Sequence, residues 1–574
     1  MSWWYSLILA VPLLLLLLMT GLPSFGSPDG LSGIVRNAYT NEPVSGAVVS
    51  SSGSSVTTNG SGEFSVAERD ATALSISREN YEATQFAVTP GAEDLEIQLR
   101  PTILQGQVTN QLTGDPIPGV TVMATGDGDA TVKAITDDEG RYVLNNIPRN
   151  ATVSVDLDGY SPHAQTVGES LEMDFEIRAD VVTGLITDDT GAPLPDATIQ
   201  IGEAVTTSAP DGTYRLSGIP ASGSVVVKKS GYREALADEL PDDMVFNASL
   251  TRFVVRSLYA TGLTVASDES WDALLQVADN TEVNAMVVDL KDSSGQVLYD
   301  TQVPLAQEIG AVNELLDVRQ KLDDLKERDL YSIARIVVFE DPILAEQRPE
   351  LAIRDSTTGG LWVTYDGLAW VNAYEPTVWQ YNIDLAVEAA NLGFDEIQLD
   401  YIRFPTDGLL ETAEYGTDFG DETQSQAISG FLQQMQVALA PTGAYLAVDI
   451  FGFTLFEESD GGIGQQLESI EPYVDVICPM IYPSHFHPGA MGLDIPNNHP
   501  YEVILWSLQS GAERLGDKSY KFRPWIQDFS YGEGIEYGAA EVYAQIQATE
   551  DFGASGWMVW NAANVYSTEA FAKE

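Results

Sequence analysis

Short runs of alternating apolar and polar residues follow one another between residues 31 and 250, separated by turns rich in Gly, Pro, Asn and Asp. The pattern occurs in three copies, which begin "GIVRNAYTNEPVSGAVV" at Gly33, "GQVTNQLTGDPIPGVTV" at Gly106 and "GLITDDTGAPLPDATI" at Gly184. A period of two residues interrupted by turns indicates antiparallel strands with one buried face. Copies of this length suit small sandwiches. We therefore predict three small all-β sandwiches, over residues 28–100, 101–178 and 179–250.

From residue 251 the pattern changes, and longer apolar runs alternate with helix-like segments such as "ELLDVRQKLDDLKER" and "TVWQYNIDLAVEAANL". This alternation is typical of β/α units built on a parallel sheet. Eight apolar runs qualify as strands, namely "RFVVRSLYA", "NAMVVDL", "SIARIVVF", "FDEIQLD", "AYLAVDI", "VDVICPMIY", "FRPWIQ" and "GWMVW". Eight such units predict an α/β TIM (β/α)8 barrel over residues 251–574.

The first residues, "MSWWYSLILAVPLLLLLLMTGLPSFGSPDG", are apolar from Trp3 to Met19. A segment of this length predicts a signal peptide or a membrane anchor over residues 1–27, and hence export to the periplasm, the cell surface or the medium. Ser24 and Gly26 are small residues suited to a cleavage site. The first basic residue is Arg36, so the basic segment that usually precedes a signal peptide is missing. Cleavage and attachment to the membrane through this segment remain alternatives.

The charge balance excludes one broad class of partner. Asp and Glu total 85 against 28 Lys and Arg, which gives a formal net charge of −57. Such a surface repels phosphate backbones, so we predict no nucleic-acid binding.

Cysteine and histidine usage argues against several kinds of site. The single cysteine, Cys478, lies in the apolar run "VDVICPMIY" and is predicted to be a buried small hydrophobe. One cysteine excludes an intramolecular disulfide and any Cys₂ or Cys₄ zinc site. His485, His487 and His499 come without an HExxH or comparable pattern, and neither a GxxxxGK[ST] loop nor a GxSxG elbow occurs. We therefore predict no metal and no cofactor.

Polar residues follow the ends of the predicted barrel strands, where barrel enzymes carry their active sites. Taken from the second strand to the eighth, these residues are Asp289 and Lys291, Glu340 and Asp341, Asp400 and Arg403, Asp449, Tyr482 and His485, Gln527 and Asp528, and Trp560 and Asn561. The same segments are rich in aromatic residues, such as Trp370, Tyr401, Phe486 and Trp525. Because sugars present apolar C–H faces as well as hydroxyls, a cleft that combines carboxylates and aromatic rings suits a carbohydrate chain.

Glycoside cleavage needs two carboxyl groups, one that protonates the leaving oxygen and one that attacks the sugar or activates water. Asp400 is our candidate for nucleophile or base, because it closes an otherwise apolar strand. Arg403 could lower its pKa, or the two could form an ion pair that only orders the loop. Asp449 is the candidate acid, since its apolar neighbours would raise its pKa. Asp528 is a third catalytic candidate.

The remaining candidates are predicted to contact substrate. Asp289 and Lys291 are either substrate ligands or an ion pair with each other at the barrel mouth. The other predicted ligands are Arg403, Tyr401, Tyr482, His485, Gln527, Trp560 and Asn561. Asp395 and Glu396 begin the fourth strand and are expected at the opposite, stabilising end of the barrel.

The three N-terminal copies resemble the carboxypeptidase regulatory-like domain, a transthyretin-like sandwich common in exported bacterial proteins. The resemblance covers about residues 31–250. It implies a fold and leaves the role open between a spacer and a module that binds a glycan or a partner.

The C-terminal region resembles an uncharacterised family of exported bacterial TIM barrels, formerly a domain of unknown function, to which glycoside hydrolase activity is ascribed. The resemblance spans seven separate motifs that follow one another along the chain. Among them are "NAMVVDLKDSSG", "LGFDEIQLDYIRFP", "ICPMIYPSHF" and "GWMVWNAANVY". Distant amylase-like relatives imply a nucleophile at Asp400 with an arginine nearby, and a transition-state stabiliser at Asp528. They imply an acid on the fifth strand, where this sequence has Asp449 and amylases have Glu.

The sequence thus predicts an exported glycoside hydrolase that cleaves O-glycosidic bonds of a polysaccharide or cell-envelope glycan. A non-catalytic glycan-binding or envelope-scaffolding protein is the main alternative. A deacetylase or lyase that uses His485 and Tyr482 is a third.

Overall fold

The computed structural model describes residues 30–417 and 419–572. The predicted leader, residues 1–27, lies outside the described residues. Among those described, no helix is both long and apolar enough to cross a membrane. The chain divides into two compact units, Met1–Ala179 and Asp180–Glu574.

The first unit contains two sandwiches of seven strands each. In the first sandwich the strands are β1 Leu31–Asn37, β2 Val48–Ser50, β3 Ser55–Thr57, β4 Glu63–Val66, β5 Ala73–Ser77, β6 Thr84–Ala87 and β7 Leu95–Leu99. In the second they are β8 Ile103–Asn110, β9 Thr121–Thr125, β10 Thr131–Ile135, β11 Arg141–Asn145, β12 Thr152–Asp156, β13 His163–Thr166 and β14 Phe175–Ile177. Each sandwich has one three-stranded and one four-stranded sheet. The sheets are β4-β1-β7 and β3-β2-β5-β6 in the first sandwich, and β11-β8-β14 and β10-β9-β12-β13 in the second.

The second unit begins with a third sandwich of the same topology. Its strands are β15 Val181–Asp188, β16 Thr198–Ile201, β17 Ala204–Thr207, β18 Thr213–Ser217, β19 Val225–Lys228, β20 Ala235–Ala237 and β21 Ala248–Leu250. The sheets are β18-β15-β21 and β17-β16-β19-β20. Because all three strand orders agree, the prediction of three repeated sandwiches is confirmed.

The glycine that begins each repeat has a packing role. A Cβ on Gly106 would lie 1.8 Å from the carbonyl oxygen of Met173, and a Cβ on Gly184 would lie 1.8 Å from that of Phe246. The hydroxyl of Tyr142, in "GRYVL", donates to the same Met173 oxygen at 2.6 Å. A side chain at the glycine would therefore collide with the neighbouring backbone.

The rest of the second unit is a closed barrel of eight parallel strands. They are β22 Val255–Ala260, β23 Ala285–Lys291, β26 Tyr331–Val337, β28 Glu396–Asp400, β30 Tyr445–Phe451, β31 Val476–Met480, β32 Trp525–Gln527 and β33 Gly556–Trp560. Pairing of β22 with both β23 and β33 closes the ring. All eight predicted strands are present, so the TIM-barrel prediction is confirmed.

Ten α-helices and four short strands complete the barrel region as described. The helices are α1 Gly262–Ala266, α2 Asp268–Asn280, α3 Pro304–Glu308, α4 Val318–Lys326, α5 Pro342–Gln347, α6 Pro376–Leu392, α7 Asp421–Leu439, α8 Leu467–Ile470, α9 Pro500–Leu515 and α10 Ala539–Phe552. The short strands are β24 Val297–Tyr299, β25 Val312–Leu316, β27 Arg354–Asp355 and β29 Ala413–Glu414. The predicted helix "ELLDVRQKLDDLKER" is wrong in its first residues, which belong to β25. Asp317 then caps α4 by accepting from the Gln320 N–H.

Inward-facing side chains of the barrel strands form a core of their own. They include Ala285, Ile333, Ala447, Cys478 and Met558, each less than 1% exposed. The prediction that Cys478 is a buried small hydrophobe is confirmed.

The third sandwich packs against the N-terminal ends of the barrel strands. Lys228 donates to the carbonyl of Ala444 and forms an ion pair with Asp475, both at 2.9 Å. The hydroxyl of Tyr445, the first residue of β30, donates to the carbonyl of Tyr232 at 2.9 Å. This sandwich is thus joined to the barrel by buried polar contacts as well as by the chain.

Candidate active site

A buried arginine joins two carboxylates at the C-terminal ends of three adjacent barrel strands. Arg335 on β26 donates through Nη1 to Asp289 on β23 at 2.7 Å, and through Nη2 and Nε to Asp400 on β28 at 2.5 and 3.1 Å. Asp289 also accepts from the hydroxyl of Tyr259 at 2.6 Å. Burial raises the pKa of Asp289, and the charge of Arg335 opposes that shift.

The chain turns sharply directly after Asp400. Tyr401 has a φ of 53°, in the left-handed region, and its N–H donates to Oδ1 of Asp400 at 2.6 Å. A non-glycine residue in this conformation is strained and is held by its surroundings. The turn fixes the Asp400 carboxylate against Arg335 at the strand end.

The alternative of an Asp400–Arg403 ion pair is wrong, because Asp400 forms its ion pair with Arg335. Arg403 donates to the carbonyl of Phe404 at 3.0 Å, and its guanidinium lies 4.9 Å from the centre of the Trp370 ring and 4.8 Å from that of Phe451. The turn at Tyr401 carries Arg403 off the strand, so the arginine of the neighbouring strand pairs with Asp400 instead. Its cation–π contacts still place Arg403 beside the carboxylates.

Asp449 on β30 completes the group. The register aligns Leu399 with Val448, so Asp449 lies on the strand next to Asp400 at the same level of the barrel. Its Oδ1 accepts from the indole N–H of Trp525 at 2.7 Å, and the residue is 1% exposed. Burial and the nearby charge of Asp400 raise the pKa of Asp449 well above its usual value. This environment favours the protonated form of Asp449.

A cavity of about 280 Å³ lies above this group. Its lining comprises Arg335, Asp400, Tyr401, Arg403, Asp449, Phe451, Met480, Tyr482, Trp525 and Trp560. Trp560 stacks on Tyr259 with ring centres 4.1 Å apart. Among the described residues the Tyr482 hydroxyl has no hydrogen-bond partner. The cavity thus combines aromatic faces with carboxyl, guanidinium and hydroxyl groups.

Two grooves adjoin the cavity and share lining residues with it. The smaller, about 370 Å³, shares Tyr482 and Trp560 and is also lined by His485, Phe529, Tyr531 and the segment 561–563. The larger, about 760 Å³, shares Phe451, Met480 and Tyr482 and continues over α9 and the loop before it. The three spaces form one open cleft across the top of the barrel.

Glu340, which the sequence places after the third predicted strand but which was not among the catalytic or substrate-binding candidates, also lies near this site. Burial raises its pKa to about 7, with Arg403 acting in the opposite direction and Asp400 in the same direction. Its side chain has no hydrogen-bond partner among the described residues. Its position directly after the third predicted strand was the available signal.

Arg335 was missed as well. Arg335 lies within "SIARIVVF", and a charged residue in an otherwise apolar barrel strand could have indicated a functional site. An interior arginine must face carboxylates, because an unpaired buried charge is costly.

Lys291 lies outside the cleft, and the expected Asp289–Lys291 ion pair is wrong. Lys291 pairs with Asp341 at 2.8 Å and donates to the carbonyl of Val337 at 2.6 Å. Residues two apart on a strand normally share a face, but the register shifts between Asp289 and Lys291. This bulge sends Asp289 to the barrel interior and Lys291 to the layer between the sheet and the helices.

Three further candidates hold loops in place. Asp528 accepts from the N–H and hydroxyl of Ser567 at 2.7 and 2.8 Å, and Gln527 accepts from the N–H and hydroxyl of Ser484 at 3.1 and 2.9 Å. Neither lines the cavity or the grooves. Asn561 lines the smaller groove, but its amide donates to the carbonyls of Asp528 and Val565.

His485 lies where the two grooves meet. Its Nδ1 is 3.1 Å from the hydroxyl of Ser484, and its ring packs against Tyr482 at 5.3 Å between ring centres. Burial lowers its pKa. In the described part of the chain, no three His, Cys, Asp or Glu side chains are grouped as a metal ion would require.

The barrel sequence matches the family described as "Putative glycosyl hydrolase domain" over residues 257–566. The chain belongs to this glycosyl hydrolase family. The second and third sandwiches match the carboxypeptidase regulatory-like domain over residues 103–178 and 181–243. Both resemblances noted in the sequence are confirmed. No curated protein sequence matches the chain.

Several solved structures are similar to this member of the glycosyl hydrolase family. A hypothetical protein from Ruminiclostridium thermocellum is 37% identical, with 33% of this chain and 96% of that one covered and a TM-score of 0.31. The PgaB (BpsB) glycoside hydrolase domain from Bordetella bronchiseptica is 12% identical, with 56% and 99% covered and a TM-score of 0.42. A chitinase from Chromobacterium violaceum is 12% identical, with 55% and 97% covered and a TM-score of 0.35. The family assignment itself rests on the sequence match.

Proposed function

We propose that this protein is an exported glycoside hydrolase that cleaves O-glycosidic bonds of a polysaccharide or cell-envelope glycan. The observation that carries the proposal is the pairing of Asp400 and Asp449 on neighbouring strands beneath an open cavity. Asp400 is ion-paired with Arg335, whereas burial raises the pKa of Asp449. Glycosidases need two carboxyl groups in different protonation states, and the different environments of Asp400 and Asp449 support such a difference.

In the proposed reaction Asp449 donates its proton to the glycosidic oxygen as the C–O bond breaks. The sugar then develops positive charge at its anomeric carbon, which the Asp400 carboxylate stabilises. Asp400 either bonds to that carbon, giving an intermediate that water later hydrolyses, or takes a proton from the attacking water. In both routes water supplies the hydroxyl group of the sugar product. In the first route its proton returns to Asp449, whereas in the second Asp400 releases that proton to solvent and Asp449 takes one up from solvent.

The aromatic lining suits a sugar as the occupant of the cavity. Trp560 and Tyr401 offer apolar ring faces, while Arg403 and the hydroxyl of Tyr482 are available to bind sugar hydroxyls. A glycan longer than the cavity would extend into the adjoining grooves. Export through the N-terminal segment would bring the barrel to envelope glycans.

The test is release of reducing ends from a panel of envelope and other polysaccharides by the full chain and by its Asp400→Asn variant. We expect release by the native protein and loss of at least a thousandfold in the variant, which keeps the size of the side chain but removes its charge. Equal release by both proteins would remove Asp400 from the mechanism. Glycan binding without release by the native chain would favour the non-catalytic alternative.

A further inference from the structure

Most of the residues that line the larger groove are apolar, and Glu457, Tyr482, His485, His487 and Trp506 carry its polar groups. Thirteen residues line it, and eight of them carry no polar side-chain group other than a thioether: Phe451, Gly452, Phe453, Phe456, Met480, Phe486, Ala490 and Met491. Sugars carry a hydroxyl on almost every carbon, so a site for sugar units needs many donors and acceptors. The composition of this groove fits an apolar ligand better.

The rings in the larger groove are packed edge against face. The ring centre of Phe456 lies 4.9 Å from that of Trp506 at an interplanar angle of 61°, and 6.0 Å from that of Phe486 at 47°. Trp506, on α9, is 39% exposed, although it is one of the largest apolar side chains in the barrel. Exposed apolar surface gathered along a groove marks a binding surface.

The smaller groove differs in composition. Five of its eight lining residues carry polar side-chain groups, namely Tyr482, His485, Tyr531, Trp560 and Asn561. Aromatic rings with polar tips suit sugar units, which present both hydroxyls and C–H faces. The two grooves that leave the cavity are therefore suited to different chemistry.

The larger groove adjoins the cavity of the candidate active site. Phe451, Met480 and Tyr482 line both spaces, so a sugar in the cavity would have its next substituent at the groove entrance. A volume of about 760 Å³ is in the range that encloses a small-molecule ligand. This position suits a part of the substrate that is joined to the sugar.

We propose that the larger groove binds an acyl or alkyl chain of the substrate, so that the substrate is a glycan joined to an apolar group. The inference rests on the proposed function for the identity of the reacting sugar. Glycan units would then lie in the cavity and the smaller groove, with the apolar chain along Phe456, Met491 and Trp506.

The test is calorimetric binding of maltose, n-octyl β-maltoside and n-dodecyl β-maltoside to the full chain, each below its micelle-forming concentration. Each buried methylene strengthens binding by about fourfold. We expect affinity to rise at least tenfold from the octyl to the dodecyl compound. Equal affinities for the two compounds, or binding of maltose as tight as theirs, would overturn the proposal.

Variants locate the binding. Trp506→Ala and Met491→Asp should each reduce the dodecyl-to-octyl ratio of affinities at least threefold, the first by removing apolar surface and the second by adding a charge. Tyr531→Ala, in the smaller groove, is the matched control and should leave the ratio unchanged. If both Trp506→Ala and Met491→Asp keep the native dodecyl-to-octyl ratio of affinities, the alkyl chain binds outside the larger groove and the proposal is overturned.

The Asp400→Asn variant separates this proposal from the proposed function. It should keep the full dependence on chain length, because Asp400 does not line the larger groove. If the native protein hydrolyses no glycan but shows the dependence, the groove binds an apolar chain and the hydrolase proposal fails. If it hydrolyses glycans without the dependence, the groove proposal alone fails.

Discussion

Two buried arginines lie at opposite ends of the same barrel, each bonded to carboxylates. At the C-terminal end is the rim cluster: Arg335 with Asp289, Asp400 and the adjacent Asp449. At the N-terminal end is the base cluster, in which Arg523 is hydrogen-bonded to Glu396, and Glu396 also accepts from the hydroxyl of Tyr331. The carboxylates of both clusters come from the parallel strands of the barrel.

The clusters differ in stoichiometry and access. The rim has three carboxyl groups for one arginine and opens into the cavity. In the base cluster, Glu396 is 0% exposed, and the third sandwich covers the strand ends beside it. An excess of carboxyl groups favours the protonated form of one of them, and a proton held in this way can be transferred only where a substrate can reach it. A buried ion pair is therefore a candidate active site when carboxyl groups outnumber the arginine and the cluster opens into a cavity that a substrate can enter.

The largest expected effect is on activity at the rim. Asp400→Asn should abolish hydrolysis by at least a thousandfold yet cost little stability, because Arg335 keeps Asp289 as its partner. Reducing-end release and urea unfolding of the same preparations measure the two effects. A variant that unfolds much more easily than the native protein would make the rim cluster mainly structural.

Unlike Asp400→Asn, Glu396→Gln should lower stability strongly and leave activity nearly unchanged. It leaves Arg523 without a carboxylate partner among the described residues, and breaking a buried pair in this way costs about 3–5 kcal/mol. Activity per folded molecule should stay within a few fold of the native value. Loss of hydrolysis in a Glu396→Gln variant that remains folded would contradict the distinction between a catalytic rim cluster and a structural base cluster.

Glu340 predicts a pH dependence specific to the rim. Its pKa is raised to about 7, so between pH 4.5 and 7 the folded state holds a proton that the unfolded state has lost. The contribution of Glu340 to stability therefore falls as pH rises through this window and is constant above it. Thermal unfolding at pH 5 and pH 8 should show a smaller drop in Tm for Glu340→Gln than for the native protein. Glu411→Gln, at an exposed position, is the control and should match the native drop.

The smallest expected effect concerns the contact between the third sandwich and the N-terminal ends of the barrel strands. Tyr445→Phe removes the hydrogen bond to the carbonyl of Tyr232 and should lower the free energy of unfolding by about 1 kcal/mol. Hydrolysis should not change. Tyr365→Phe, at a tyrosine that is 74% exposed, serves as a control. An unchanged stability in Tyr445→Phe would show that this contact does not hold the third sandwich on the barrel.

Several features of the site could be read from the sequence. Asp400 and Asp449 each end or nearly end an apolar strand, and parallel strands gather such positions at one end of a barrel. The partner of Asp400 could not be read in this way. Arg403 is nearer in sequence, but the left-handed turn at Tyr401 removes it, and strand register brings in Arg335 from 65 positions away.

The sequence by itself determined the three repeats, the eight strands and the end of the barrel where carboxyl groups gather, because hydrophobic periodicity and turn residues act locally. Tertiary structure alone decided which charges meet. The bulge after Asp289 turned Lys291 away from the cleft, and the contacts of Asp528 with Ser567 committed that carboxylate to a loop. Burial and neighbouring charge, which depend on the closed barrel, gave different electrostatic environments to Asp400 and Asp449, two aspartates that look alike in sequence.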